Sequence, residues 1–210
     1  MSAKSYILCL SFQDMYWASH LIGIGGSEME FSLTTSNYHL RPIDLGNDNL
    51  QNYLQWVRDV ESNQYILGVN PSFTLDELKI YVAEKNSSAS AVLLGIYTKD
   101  EGVHIGNVKL EPLIVGSTGV LGILIGDKNM RGKGVGFEVI TELLKYAFNT
   151  LSLEYISLGV HKNNLPAIHL YERIGFKKWL VNSQVGNSLD VIYFRIKHSE
   201  SSSPDIHLGK

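Results

Sequence analysis

The spacing of apolar positions switches along the chain between two and about 3.6 residues, and the switches lay out its elements. Residues 38–41 read as a short strand stopped by Pro42. Leu50, Tyr53, Leu54 and Val57 then recur at i, i+3, i+4 and i+7, the stripe of an amphipathic helix, with Asn47 or Asp48 placed to cap it. Pro71 leads into a second helix, where Thr74 and Glu77 have capping-box spacing and Leu75, Leu78 and Val82 share a face. The polar stretch 86–90 ends it. Residues 91–98, 104–110 and 120–125 are apolar or β-branched runs parted by turn residues at 99–102 and 116–119, the pattern of an antiparallel meander. Period 3.6 returns with Val139, Ile140, Leu143, Leu144, Ala147, Phe148 and Leu151. A strand at 155–160, a helix at about 166–174 stopped by Gly175, and strands at 178–181 and 189–196 complete the order β-α-α-β-β-β-α-β-α-β-β. That order predicts one α/β domain with a mixed sheet.

The two ends lack such periodicity. Residues 1–34 read as an N-terminal extension, 35–197 as the folded domain and 198–210 as a polar C-terminal tail. The apolar run 6–12 behind Lys4 imitates a signal peptide only loosely, because Gln13 and Asp14 follow at once and no small-x-small cleavage site appears. Met29 is a candidate native start, since purine-rich codons for Gly26-Ser27-Glu28 would resemble a ribosome-binding site just upstream of it. Composition narrows the class further. With 210 residues, 44% of them hydrophobic and 19% charged, the chain can bury an ordinary core. A net charge of −3 gives no general attraction to nucleic acid or an anionic membrane, so neither is expected as a partner. The lone Cys9 cannot form an internal disulfide or a structural zinc site, which fits a cytoplasmic protein without metal.

Chemistry enters where the third meander strand meets the long helix. Residues 126–136, Gly-Asp-Lys-Asn-Met-Arg-Gly-Lys-Gly-Val-Gly, run from a strand into a helix N-terminus whose first N–H groups lack intrahelical partners. Glycines at 132, 134 and 136 admit a phosphate close to the backbone, the helix dipole favours an anion, and Lys128, Arg131 and Lys133 against Asp127 make the loop locally basic. Gly134 stands where a Walker A loop needs Ser or Thr, and GxGxxG fits poorly. Taken alone, the loop is equally a glycine-rich turn with solvated lysines.

Two motifs together go further. Arg131-Gly132-Lys133-Gly134-Val135-Gly136 resembles the Arg/Gln-x-x-Gly-x-Gly/Ala pyrophosphate loop of the GNAT superfamily of N-acetyltransferases, and residues 164–176, with Asn164, Ala167, Ile168, Tyr171, Gly175 and Phe176, resemble its second signature. Leu40-Arg41-Pro42 and the helix carrying Tyr53, Leu54, Trp56 and Val57 look like the branch holding ribosomal-protein Nα-, spermidine and amino-sugar acetyltransferases. The resemblance implies a GNAT-like domain: a mostly antiparallel mixed sheet, a splayed central strand pair and helices on both faces. It implies acetyl-CoA as cosubstrate and direct attack by an amine, without a covalent acyl-enzyme. The N–H groups from Arg131 to Phe137 would hold the pyrophosphate, with Met130, Arg131 and Lys133 flanking the nucleotide and phosphates. Pantetheine would lie between the splayed strands, with the thioester carbonyl near the N–H of Leu124 or Ile125.

Tyr171 would be the catalytic acid that protonates the departing thiolate; a packing tyrosine is the other reading. Asn164 is a helix cap, a cofactor contact or both. Many relatives of the branch carry Glu where this chain has Val120, so no base is assigned, and Glu111, His104 and His161 are the ionisable residues nearby. In this fold the acceptor pocket is built from the first two helices, here 47–85, and the loop 182–190. Asp48, Asp59, Glu61, Asp76, Glu77 and Glu84 lack a focus and read as a solvated face rather than a polyamine site. The runs 104–110 and 121–128 look closest to amino-sugar acetyltransferases. The expected partner is therefore a small-molecule amine or a peptide N-terminus. A non-catalytic acyl-CoA-binding module is the alternative, and whether the chain pairs as a homodimer stays open.

Overall fold

The computed structural model describes residues 31–60, 64–65, 71–179 and 190–200. Among them one sheet has eight strands: β1 (Leu33–Thr34), β2 (Tyr38–Arg41), β3 (Val92–Thr98), β4 (His104–Ile114), β5 (Thr118–Ile125), β6 (Tyr155–His161), β7 (Lys177–Lys178) and β8 (Val191–Lys197), in the spatial order β1-β2-β3-β4-β5-β6-β8-β7. Every neighbouring pair is antiparallel except β5 and β6. The helices are α1 (Leu50–Arg58), α2 (Leu75–Asn86), α3 (Val135–Asn149) and α4 (Leu165–Ile174). This is the element order that the apolar periodicity predicts, with β1 added in front of it. The strand expected over 178–181 is Lys177–Lys178, and residues 180–189, including most of the expected acceptor loop, lie outside the described residues.

Local chemistry explains the helix ends. Thr74 and Glu77 form both halves of the capping box, with Oγ1 of Thr74 accepting from the Glu77 N–H at 3.3 Å and the Glu77 carboxylate accepting from the Thr74 N–H at 2.7 Å. The cap of α1 differs from expectation. Asn49 caps it, accepting from the Gln51 N–H at 3.0 Å, because the Asp48 carboxylate is committed to Arg41 and Tyr97, and Asn47 donates to Asp44. Gly175 ends α4 at φ 109°, with the Phe176 N–H returning to the Tyr171 carbonyl at 3.0 Å.

Leu50, Tyr53, Leu54, Leu78 and Val82 of α1 and α2 form one buried cluster with Ile43 and Leu93. The face of α3 carrying Val139, Ile140, Leu143, Leu144, Ala147 and Phe148 is buried as well. Five consecutive residues of β3 are buried, which in a strand requires cover on both faces of the sheet. Helices accordingly lie on both sides. The parallel contact is short: β5 and β6 pair only at Thr118–Tyr155, Gly119–Ile156 and Val120–Ser157, while β5 continues to Ile125 and β6 to His161. Beyond Val120 the two strands part, forming the expected splayed pair at the centre of the sheet.

Candidate functional site

From the end of β5 the chain passes through one 3₁₀ turn, Lys128–Met130, into α3. Asp127 caps that turn by accepting from the Asn129 N–H at 2.8 Å, and Arg131 donates from Nε to the Ile125 carbonyl at 3.0 Å, tying the loop to the strand it leaves. Lys128 pairs with Asp59 at 3.0 Å, so one of the loop's basic side chains is committed to the end of α1. Gly134 is the N-cap of α3 at φ 82° and gives no side-chain cap, and its conformation is one that side chains beyond glycine rarely adopt. The first N–H groups of α3, those of Val135, Gly136 and Phe137, precede the first intrahelical bond and have no side-chain cap, and the backbone at Gly132 and Gly134 is open enough that an added Cβ would touch nothing. A 15-residue helix that starts in this way suits a pyrophosphate.

The second motif sits against the first. An added Cβ on Gly136 would come within 2.8 Å of Leu170 Cδ2, so α3 and α4 touch where Leu170 and Tyr171 sit. Tyr171 is buried against Phe176 and Phe194, with ring centroids 5.9 and 6.3 Å away, and Phe194 pairs with Leu158 of β6, one of the splayed strands. Burial alone pushes its hydroxyl up to about 12, so it stays protonated throughout the neutral range. Asn164 serves as the cap of α4, its Oδ1 accepting from the Ala167 N–H at 3.3 Å.

Beside this expected arrangement lies a polar cluster that the sequence did not reveal. Arg41 grips Asp48 through both terminal nitrogens, at 2.9 and 2.7 Å, and its guanidinium lies 3.8 Å from the Tyr97 ring centroid. The Tyr97 hydroxyl donates to Asp48 at 2.6 Å. Burial would raise the Asp48 carboxyl, but the hydrogen bonds from Arg41, Tyr97 and the Asp44 N–H outweigh it and hold it below the usual range. Asp48 thus departs from the solvated face expected of these carboxylates; its largely covered side chain, 8% exposed, anchors the cluster. Glu77 is spent in the capping box and Asp59 on Lys128, while Glu61 lies outside the described residues.

The other face of Tyr97 stacks on His104 at 4.8 Å and 20°, and Trp56 and Tyr53 of α1 meet the same imidazole edge-on at 5.1 and 6.2 Å. The Trp56 indole in turn covers Gly126, where an added Cβ would fall inside its ring. The cluster is assembled from β2, the following loop, α1, β3 and β4, too far apart in the chain for any local spacing to announce it. The other two ionisable candidates sit elsewhere. Glu111 is held by Lys85 and Lys109, and His161 accepts the Asn163 N–H at 3.2 Å. Among the described residues no group of His, Cys, Asp and Glu is placed to hold a metal, and no helix is long and apolar enough to cross a membrane.

Comparison with known proteins agrees with this geometry. Residues 38–177 match the acetyltransferase (GNAT) domain family. A probable N-acetyltransferase of Bacillus subtilis, YjcK, is 36% identical over 86 residues, covering 40% of this chain and 47% of that protein. The human alpha/beta-tubulin-N-acetyltransferase 9 is 27% identical over 89 residues, covering 40% and 42%. The matched stretch thus spans less than half the length of these relatives. In fold, the chain is similar to the spermidine N-acetyltransferase of Vibrio cholerae solved with CoA and spermine, at TM-score 0.68 and 23% identity over 80% of this chain and 99% of that one. It is also similar to a GNAT-family acetyltransferase from Bacillus anthracis, at TM-score 0.67 and 17% identity over 81% and 100%. A family match spanning the splayed strands, the glycine loop and the helix of Tyr171 is the conclusion to which the site had already led: the chain belongs to the GNAT family of acetyltransferases.

Proposed function

We propose that the chain is an acetyl-CoA-dependent N-acetyltransferase whose acceptor is the primary amine of a small molecule, an amino sugar or a similar compound. The observation that carries this reading is the parting of β5 from β6 beyond Val120, on the strand that leads through one turn to the uncapped N-terminus of α3. The residues fit the cosubstrate. The N–H groups from Arg131 to Phe137 would hold the pyrophosphate, with Met130, Arg131 and Lys133 flanking it. The Gly126 N–H is given to Ile105 of β4 at 3.0 Å, and N–H directions alternate along a strand, which favours Ile125 over Leu124 for an N–H on the edge that β6 leaves. That N–H would stabilise charge on the thioester oxygen. Bound acetyl-CoA supplies an acyl carbon activated by its thioester. Tyr171 would hold its proton for the departing sulfur, and Asn164 would fix the start of the helix that carries it.

The test is thiol release from acetyl-CoA with amino-sugar nucleotides, N-terminal peptides, polyamines and aminoglycosides, beside calorimetry with CoA. Release that depends on the amino sugars is the expected result, and release with peptides alone would replace the acceptor. In Tyr171→Phe, kcat should fall about tenfold or more while the affinity for CoA stays the same. CoA binding without turnover on any amine would instead point to a binding module, and absence of CoA binding would overturn the reading.

A further inference from the structure

Among the described residues, the two buried side-chain nitrogens or oxygens that lack a hydrogen-bond partner both belong to one contacting pair, Nδ1 of His104 and Nδ2 of Asn107. The pairing fixes the tautomer of the histidine. Nε2 lies 2.9 Å from the Gly106 carbonyl and 3.0 Å from Asn107 Oδ1, two acceptors, so Nε2 carries the proton and donates to both. Nδ1 is left as an unprotonated acceptor. The great majority of buried side-chain nitrogens are hydrogen-bonded, so a bare one on an otherwise held ring calls for a reason. Here an asparagine is spent on orienting one nitrogen while the other stays bare inside an aromatic enclosure of Tyr53, Trp56 and Tyr97. That enclosure abuts the end of β5 through Trp56 on Gly126, next to Ile125.

We propose that His104 is the proton acceptor for the amine, taking its proton at Nδ1, with Asn107 as the residue that positions it. This inference rests on the acetyl-transfer reading above. The protons balance. The ammonium loses one proton to Nδ1, and the neutral nitrogen forms the C–N bond as the C–S bond breaks. Tyr171 gives its proton to sulfur and recovers one from the attacking nitrogen through solvent. His104 then releases the first proton to solvent, so each turnover liberates one.

The groups around the imidazole suit the role. Burial dominates and lowers its pKa, which keeps the ring neutral at pH 7; the Asn107 and Gly106 hydrogen bonds and the Asp48 charge act in the opposite direction, while the Arg41 charge adds to the lowering. Tyr97 and Tyr53, the titratable groups that face it from β3 and α1, are themselves pushed up by burial and carry no charge there.

The experiment compares the wild-type chain with His104→Gln. At pH 7, kcat/KM for the best amine of the panel should fall about a hundredfold, with the affinity for CoA within threefold. The deficit should shrink as pH rises toward 9.5, because bulk solvent then deprotonates the amine, a rescue that a packing defect would not show. A variant that binds CoA but keeps kcat/KM within threefold of wild type overturns the proposal, as does a deficit that is equal at both pH values. If the variant does not fold, nitrogen NMR of the ¹⁵N-histidine-labelled wild type decides: the expected result is an unprotonated Nδ1 at pH 7.5 whose resonance moves when the amine is added to the CoA complex. A protonated Nδ1, or one that does not move, overturns it. A wild type silent on every amine overturns the acetyl-transfer reading and this inference with it, whereas an active wild type beside an unaffected variant overturns the inference alone.

Discussion

Tyr171 and His104 are both buried titratable rings, and burial moves them in opposite directions for one reason, that it disfavours whichever form is charged. Tyrosine is charged when it has lost its proton, so its pKa rises; histidine is charged when it has gained one, so its pKa falls. Both rings are neutral at pH 7, the state in which one can donate a proton and the other accept one. The same shift links His104 to stability. Below its ordinary value of 6.5 the unfolded chain takes up a proton at this residue before the folded chain does, so the contribution is fully present above about pH 6.5 and is lost as pH falls toward the lowered folded-state value. One proton sets a ceiling of about 1.4 kcal/mol per pH unit on that slope. Urea unfolding between pH 7.5 and 5.5 should show a steeper loss for wild type than for His104→Asn, and equal slopes would contradict the burial of the ring. At this scale Tyr171 was legible, because it stands inside a motif. The place of His104 was not, because its neighbours Tyr97, Trp56 and Asp48 arrive from other elements.

At the scale of the elements, the start of α3 concentrates the demands. Gly134 at φ 82° is required by the entry of the loop into the helix. Gly134→Ala should cost roughly 1–2 kcal/mol from the left-handed conformation. It should also weaken CoA binding measurably by calorimetry, since a helix that shifts to relieve the strain carries the N–H groups of Val135 and Gly136 with it. Thr74→Ala, which removes one half of the α2 capping box, should cost about 1 kcal/mol in thermal or urea unfolding and leave CoA binding unchanged. The contrast separates a cap that serves the fold from an uncapped terminus that, on the proposed function, serves the cosubstrate. Element identity was readable because each helix shows its apolar stripe and each meander strand its apolar run. The cap of α1 was misread, since Asp48 is a competent cap by residue type and was drawn away by Arg41 and Tyr97, which only the folded chain brings near.

For the whole molecule, we propose that the acetyltransferase domain runs from Leu33, two residues ahead of the start at 35 that the periodicity predicts, to 197, with the residues before it an extension and 198–210 a tail. The sheet itself takes up Leu33 and Thr34 as β1, paired to Leu40 and His39. A chain begun at Met29 keeps that strand, and its thermal midpoint and CoA affinity should match those of the full chain; a clear loss of either would assign residues 1–28 to the domain. The sequence by itself determined the element order, the mixed sheet, the glycine-rich turn ahead of α3 and the family, because these depend on periodicity and on residues close together in the chain. Tertiary structure alone decided where β5 and β6 part, which of the acidic residues is drawn into a polar cluster, and that His104 is held by Asn107 with its other nitrogen bare. These are matters of strand register and of contacts between residues up to about fifty positions apart, such as Asp48 with Tyr97. Such contacts leave no period in a sequence, because the sheet brings the partners together only once the hydrophobic pattern has folded it.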